Sequence, residues 1–156
     1  MISDVGTMLV LCGGCLALTA VSALVPWVNA ELVVLSFTAT APSPAVAALL
    51  IVVATIGQMT GKLLLYSAGR QGSRIRSPLV ARKLEAWRAR CSASPRYADR
   101  VVLMSSTVGF PPFIMTSLMA GAVRMDLMRF LIAGSIGRLL RFGAIAFAGN
   151  LLAGAF

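Results

Sequence analysis

The chain has 156 residues, 58% of them hydrophobic and 12% charged, with a net charge of +9. Its mean hydropathy of +0.88 leaves too little polar surface for a soluble domain of this size. Composition therefore excludes the soluble classes and indicates one integral membrane bundle with roughly three or four crossings.

The positive charge is not spread evenly. Ten basic residues, at 62, 70, 74, 76, 82, 83, 88, 90, 96 and 100, face only Glu85 and Asp99 in the same stretch. That is the positive-inside pattern of a cytoplasmic loop. Anionic lipid headgroups are the phosphates nearest to it, so no nucleic-acid partner is expected.

The first expected transmembrane helix covers 5–26, because Val5 to Ala30 carries no charge. Asp4 with no Lys or Arg beside it argues for a retained helix over a cleaved signal peptide. Trp27 suits the headgroup level. Cys12-Gly-Gly-Cys15 would suggest thiol exchange in a soluble protein, whereas inside an apolar helix small residues serve close packing. The chain has no histidine and its third cysteine, Cys91, lies far away in the basic loop, so no metal or cofactor is expected.

Glu31 stands alone between long uncharged stretches, and the apolar piece after it ends at Pro42 and Pro44. Too short to span, segment 27–44 is expected to be a re-entrant hairpin, with an ordinary interhelical loop as the alternative. A second transmembrane helix then fits 45–69. It contains Gly57-x-x-x-Gly61, a spacing that lets helix backbones approach closely, and Gln58 and Lys62, which share one face. Lys62 either reaches the cytoplasmic interface by its long stem or serves a polar cavity.

The basic cytoplasmic loop occupies 70–100. Within it Ser77-Pro78 is a helix start, and Val80, Leu84, Trp87 and Cys91 fall on one side of an amphipathic surface helix at 78–91. Segment 101–123 is apolar but interrupted at Gly109-Phe110-Pro111-Pro112, which predicts a second re-entrant hairpin buried in protein or beside water. Arg124, Asp126 and Arg129 return the chain to an interface. The last transmembrane helix, 127–152, carries Arg138 and Arg141 near its middle, three apart on one face. An arginine there costs from about 2.5 to more than 10 kcal/mol if it faces lipid, so both should face protein, water or an anion.

With the basic loop cytoplasmic, the hairpins enter from opposite sides and each precedes a spanning helix. The expected fold is an all-α inverted repeat of two re-entrant hairpins, plus an N-terminal transmembrane helix and the amphipathic helix. Thr55-Ile56-Gly57-Gln58 and Ser135-Ile136-Gly137-Arg138, eighty positions apart, carry a trace of that repeat.

Four blocks together resemble the DedA superfamily, also called the SNARE-associated or VTT-domain family, most nearly its small YqaA-like bacterial branch. They are Glu31 after Pro26, ATIGQMTGKLLLYSAGR at 54–70, PPFIMTSLMAGAVRMDLMRF at 111–130 and GRLLRF at 137–142. The resemblance implies opposed re-entrant hairpins in the bacterial cytoplasmic membrane. It also implies that the protein moves an anionic lipid, undecaprenyl phosphate or phospholipid, between leaflets as a flippase or scramblase in envelope homeostasis. An acidic residue of the first hairpin matches Glu31, and arginines of the final helix match Arg138 and Arg141. Gln58 stands where the family often has an acid, and no arginine occurs from Ser105 to Phe110, which puts proton coupling and headgroup choice in question.

On this reading Arg138 and Arg141 bind a phosphate headgroup, since guanidinium forks match phosphate oxygens. Glu31 pairs with an arginine when the site is empty. Proton uptake by Glu31 stays open, because desolvation and a neighbouring arginine act in opposite directions on a carboxyl. Gln58, Lys62 and Arg124 complete the expected cargo-contacting set, with Pro42, Pro44, Pro111 and Pro112 as hairpin breaks. Two other readings compete: a proton- or ion-coupled exporter of small solutes, and a non-transporting scaffold whose ion pairs fix helix packing. An enzyme is not expected, because without histidine few acid-base constellations remain. The Gly57-x-x-x-Gly61 face suits a homodimer.

Overall fold

The computed structural model describes residues 2–25, 28–72 and 78–153. Expectations for Pro26, Trp27, Arg74, Arg76 and Ser77 lie outside the described residues, as do those for the side chains of Val80 and Lys83. The described residues form seven α-helices in order: α1 Ile2–Leu24, α2 Ala30–Ala39, α3 Pro44–Gln71, α4 Pro78–Ala93, α5 Pro95–Val108, α6 Phe113–Ala122 and α7 Leu127–Ala153. Three of them contain spans long and apolar enough to cross a membrane, Val5–Leu24, Pro44–Gln71 and Leu127–Gly149. Helices α2 and α6 have ten residues each, about 15 Å of rise, half of what a bilayer core requires.

Local chemistry sets each boundary. Asn29 caps α2, its side chain accepting from the Glu31 amide at 2.9 Å. Ser43 Oγ accepts from the Val46 amide at 3.3 Å and Pro44 opens α3, so Pro44 begins a helix while Pro42 lies in the turn before it. Helix α5 ends at Gly109, whose φ of 91° is the left-handed cap that glycine accepts without strain. Pro111, after a cis peptide, and Pro112 then separate α5 from α6.

The corner between α6 and α7 is a Schellman turn. The Met125 amide donates to Ala120 O at 3.0 Å and the Arg124 amide to Gly121 O at 2.9 Å. Arg124 holds the left-handed position at φ 55°, where arginine costs on the order of 1 kcal/mol relative to glycine. Asp126 Oδ1 then accepts from the Arg129 amide at 2.9 Å and opens α7.

The chain divides into two compact units, Met1–Gly61 with Arg138–Phe156, and Lys62–Gly137. In the first, Gly57 faces Leu16, Thr19 and Ala20, and Gly61 faces Ala20 and Ala23. Helices α1 and α3 therefore run in the same direction, and α2, which packs on α1, lies between them in the chain. Cys15, Ala30, Val34, Leu50, Ala54 and Phe142 form the buried core of this unit.

In the second unit, Gly69 lies against Leu118 backbone and Gly121 against Tyr66 backbone, so α3 and α6 cross in direct contact. Tyr66 stacks on Phe130 at 5.0 Å between ring centres, and its hydroxyl donates to Met125 O. Helix α4 docks on α5 and α6. Trp87 meets Tyr97 edge-on at 6.4 Å, Arg90 donates to Tyr97 Oη at 3.1 Å, and Arg88 donates to Ala122 O at 3.2 Å.

Each unit contains the same glycine contact. Gly57 abuts the Thr19 hydroxyl in the first, and Gly137 abuts the Ser106 hydroxyl in the second. Burial differs from that of a water-soluble protein. Thr19, Ser22, Gln58, Lys62, Ser105, Ser106, Thr116 and Ser117 are buried, while Val10, Leu9 and Phe147 are 74%, 69% and 67% exposed. An apolar exterior around polar interior groups is the pattern of a chain surrounded by lipid.

The backbone crossing predicts where glycine is irreplaceable. A Cβ at Gly121 meets the Tyr66 carbonyl, whereas one at Gly13 meets nothing within 4 Å. Gly121→Ala should therefore destabilise the detergent-solubilised protein by about 1–3 kcal/mol, read as a lower unfolding midpoint. Gly13→Ala should leave the midpoint unchanged or raise it.

Candidate functional site

The first unit places Glu31 and Arg141 in contact. The Asn29 cap fixes the first turn of α2, and Ala30 anchors that turn in the core next to Val34 and Phe142. The Glu31 carboxylate consequently points to α7. Arg141 Nε donates to Glu31 Oε1 at 2.7 Å, and its terminal nitrogen bonds the same oxygen. Both side chains are partly buried, with 23% of Arg141 and 35% of Glu31 exposed. Sequence spacing of 110 residues gives no hint of this pair, but an isolated acid and an isolated base in apolar segments do.

Arg138 lies one turn before Phe142 on α7, its guanidinium carbon 5.7 Å from the centre of that fully buried ring. A cation over an aromatic face is held by the ring quadrupole, which compensates part of the water it has lost. Phe142 thus belongs both to the core and to the seat of Arg138, a role that the four-residue spacing could have revealed. Arg138 lies near enough to Arg141 and Glu31 for both charges to act on it.

Gln58 sits in the seam between α1 and α3 and is only 2% exposed. Its Nε2 donates to Ser22 Oγ at 2.6 Å, Ser22 donates to Thr19 O at 2.8 Å, and Thr19 donates to Cys15 O at 2.7 Å. Gln58 Oε1 is buried and has no hydrogen-bond partner among the described residues. An orphaned buried acceptor costs about 1–3 kcal/mol.

Lys62 and Arg124 belong to the second unit. Lys62 is 2% exposed, with its ammonium 5.7 Å from the Phe113 ring centre, while Phe113 stacks on Phe130 at 6.2 Å. Its burial argues against the interfacial reading of that side chain. Arg124 is exposed at the Schellman corner. Pro42 and Pro44 join α2 to α3, and Pro111 and Pro112 join α5 to α6.

Among the described residues no group of three or more His, Cys, Asp or Glu is placed to hold a metal ion. Cys12 and Cys15 are free thiols; Cys15 is buried and donates to Leu50 O at 3.7 Å, a packing arrangement. Burial pushes the Cys91 thiol up, away from the reactive thiolate. An open groove of about 360 Å³ lined by Val5, Met8, Leu9, Cys12 and Leu49 is wholly apolar and offers nothing to a charged group.

Fold and site together define an all-helical integral membrane protein with charged side chains set inside its apolar helices. The VTT domain of the DedA, or SNARE-associated, type matches residues 30–151, from the start of α2 into the last turns of α7, and the chain belongs to this family. No curated protein and no solved structure matches it.

The ion pair can be tested as a coupled unit. Arg141→Ala leaves Glu31 without that partner, whereas Arg141→Ala with Glu31→Gln removes both charges. A double-mutant cycle on unfolding in detergent should return a coupling of about 1–3 kcal/mol. A value near zero would mean that the two charges are independently solvated.

Proposed function

We propose that this protein moves an anionic, phosphate-bearing lipid, undecaprenyl phosphate or a phospholipid, between the leaflets of the bacterial cytoplasmic membrane. The basic stretch 70–100 faces the cytoplasm. The observation that carries the reading is the placement of Arg138 beside the Glu31–Arg141 pair within apolar helices. Such a cluster accepts a monoanion with less electrostatic cost than it accepts a cation or a neutral solute. Guanidinium forks match phosphate oxygens, and phosphate replaces the carboxylate on Arg141 without leaving a charge alone. The lipid tails remain in hydrocarbon while the headgroup passes along the polar groups.

Membership of the VTT domain family supports lipid as the cargo. The YqaA-like resemblance at 54–70 and 111–130 supports a bacterial envelope role. Re-entrant hairpins account for the chain course. Helices α1 and α3 run in the same direction, yet α2 between them covers only about half a bilayer. The ten-residue α6 precedes α7 as α2 precedes α3, which supports an inverted repeat with Gly57 and Gly137 as counterparts. Gln58 has no titratable proton and cannot itself couple transport to protons.

Reconstitution into liposomes tests the reading. Wild-type protein should speed leaflet exchange of a fluorescent anionic phospholipid, and Arg138→Ala with Arg141→Ala should reduce that rate by about tenfold or more, as loss of paired phosphate contacts requires. Full exchange by the double variant would refute the assignment. Solute-driven pH changes without lipid movement would favour an exporter, and no transport of either kind would favour a scaffold.

A further inference from the structure

The basic corner of the second unit, which holds Arg124 of the expected cargo-contacting set, is chemically distinct from the Arg138–Arg141 cluster that carries the proposed translocation. Arg88 reaches from α4 to the last-turn carbonyl of α6 at Ala122, donating at 3.2 Å. Two residues later, Arg124 is exposed at φ 55°, a position that favours glycine. The Arg88 guanidinium thus sits on a helix C-terminus, whose partial negative charge favours cations, and the Arg124 backbone follows directly after it. Arg82, Arg90, Arg96 and Arg100 are also exposed on α4 and α5.

Two carboxylates of this unit have partners within it. Asp99 pairs with Arg129, and Asp126 caps α7 by accepting from the Arg129 amide. Glu85 is the exposed acid on α4. Among the exposed side chains described on α4, α5 and the α6–α7 corner, arginines outnumber carboxylates. Backbone geometry does not explain an arginine at position 124, since glycine would form the same turn with less strain.

We infer that Arg88 and Arg124 form an interfacial site for the phosphate of an anionic phospholipid headgroup, with α4 lying at the headgroup layer beside it. Charge complementarity selects the occupant: a chain with spans in the bilayer presents this corner next to a phosphate-rich surface. The guanidiniums offer several N–H donors to the headgroup oxygens, which a choline-shielded zwitterionic lipid matches less well. Trp87, adjacent to Arg88 and half-buried against Tyr97, reports on occupancy. The inference stands whether or not the protein translocates lipid.

The full chain in nanodiscs, carrying Trp27→Phe so that Trp87 is the one remaining tryptophan, provides the test. Quenching of Trp87 is compared for phosphatidylglycerol and phosphatidylcholine, each bearing a nitroxide high on its acyl chain. Phosphatidylglycerol should quench preferentially, and Arg124→Gly should lower the preference about fivefold, the factor for one arginine at an anionic surface. Because glycine suits the left-handed position, the unfolding midpoint of that variant should stay the same or rise. Arg88→Gln should lower the preference further, and Arg138→Ala with Arg141→Ala should leave it intact. Equal quenching by the two lipids, or an undiminished preference in Arg124→Gly, overturns the site. So does abolition of the preference by inorganic phosphate, which would assign the corner to a soluble anion. RNA retained by phosphatidylcholine nanodiscs and lost in Arg124→Gly would overturn it in favour of nucleic acid.

Discussion

A charge inside a bilayer must be compensated by the protein, and the contact between Glu31 and Arg141 is where this chain meets that requirement. The pair ties the first turn of α2 to α7 across 110 residues of sequence. Its precondition is the Asn29 cap, which starts α2 where the carboxylate can reach. One turn earlier on α7, Arg138 is seated over Phe142. Capping, core packing and electrostatics in the first unit thus converge on one side-chain contact.

The second unit solves a different problem. Its buried hydroxyls return to nearby carbonyls: Ser105 donates to Pro111 O at 2.6 Å, Ser117 to Phe113 O at 2.6 Å and Thr116 to Pro112 O at 3.4 Å. These contacts gather around the proline break, where the helix ladder is interrupted and backbone acceptors need partners. Serines and threonines flanking two prolines keep an interrupted helix compatible with an apolar surrounding.

Much of this was legible in the sequence because hydrophobic run length and isolated charges are strong signals in membrane chains. The apolar stretches at α1, α3 and α7 and the proline interruption after α5 follow directly from composition. So does the expectation that Glu31 finds an arginine. Which arginine it finds was not legible, since Arg138 and Arg141 share a face and only the rotation of α7 chooses between them. Arg88 at the end of α6 was equally hidden. A lone arginine on an exposed helix looks like any other until the docking of α4 places it against a carbonyl. The unpartnered oxygen of Gln58 also required coordinates, because an amide in an apolar run does not reveal which of its two ends is satisfied.

At the meeting of Gly69 with Leu118 and of Gly121 with Tyr66, one main chain rests on another. A contact made of main-chain atoms has no rotamers to exchange and no soft layer of side chains through which the helices can slide. This part of α3 and α6 therefore behaves mechanically as a single strut. Sequence drift at these two positions should be nearly forbidden, while the lipid-facing residues a turn away can exchange one apolar side chain for another at little cost.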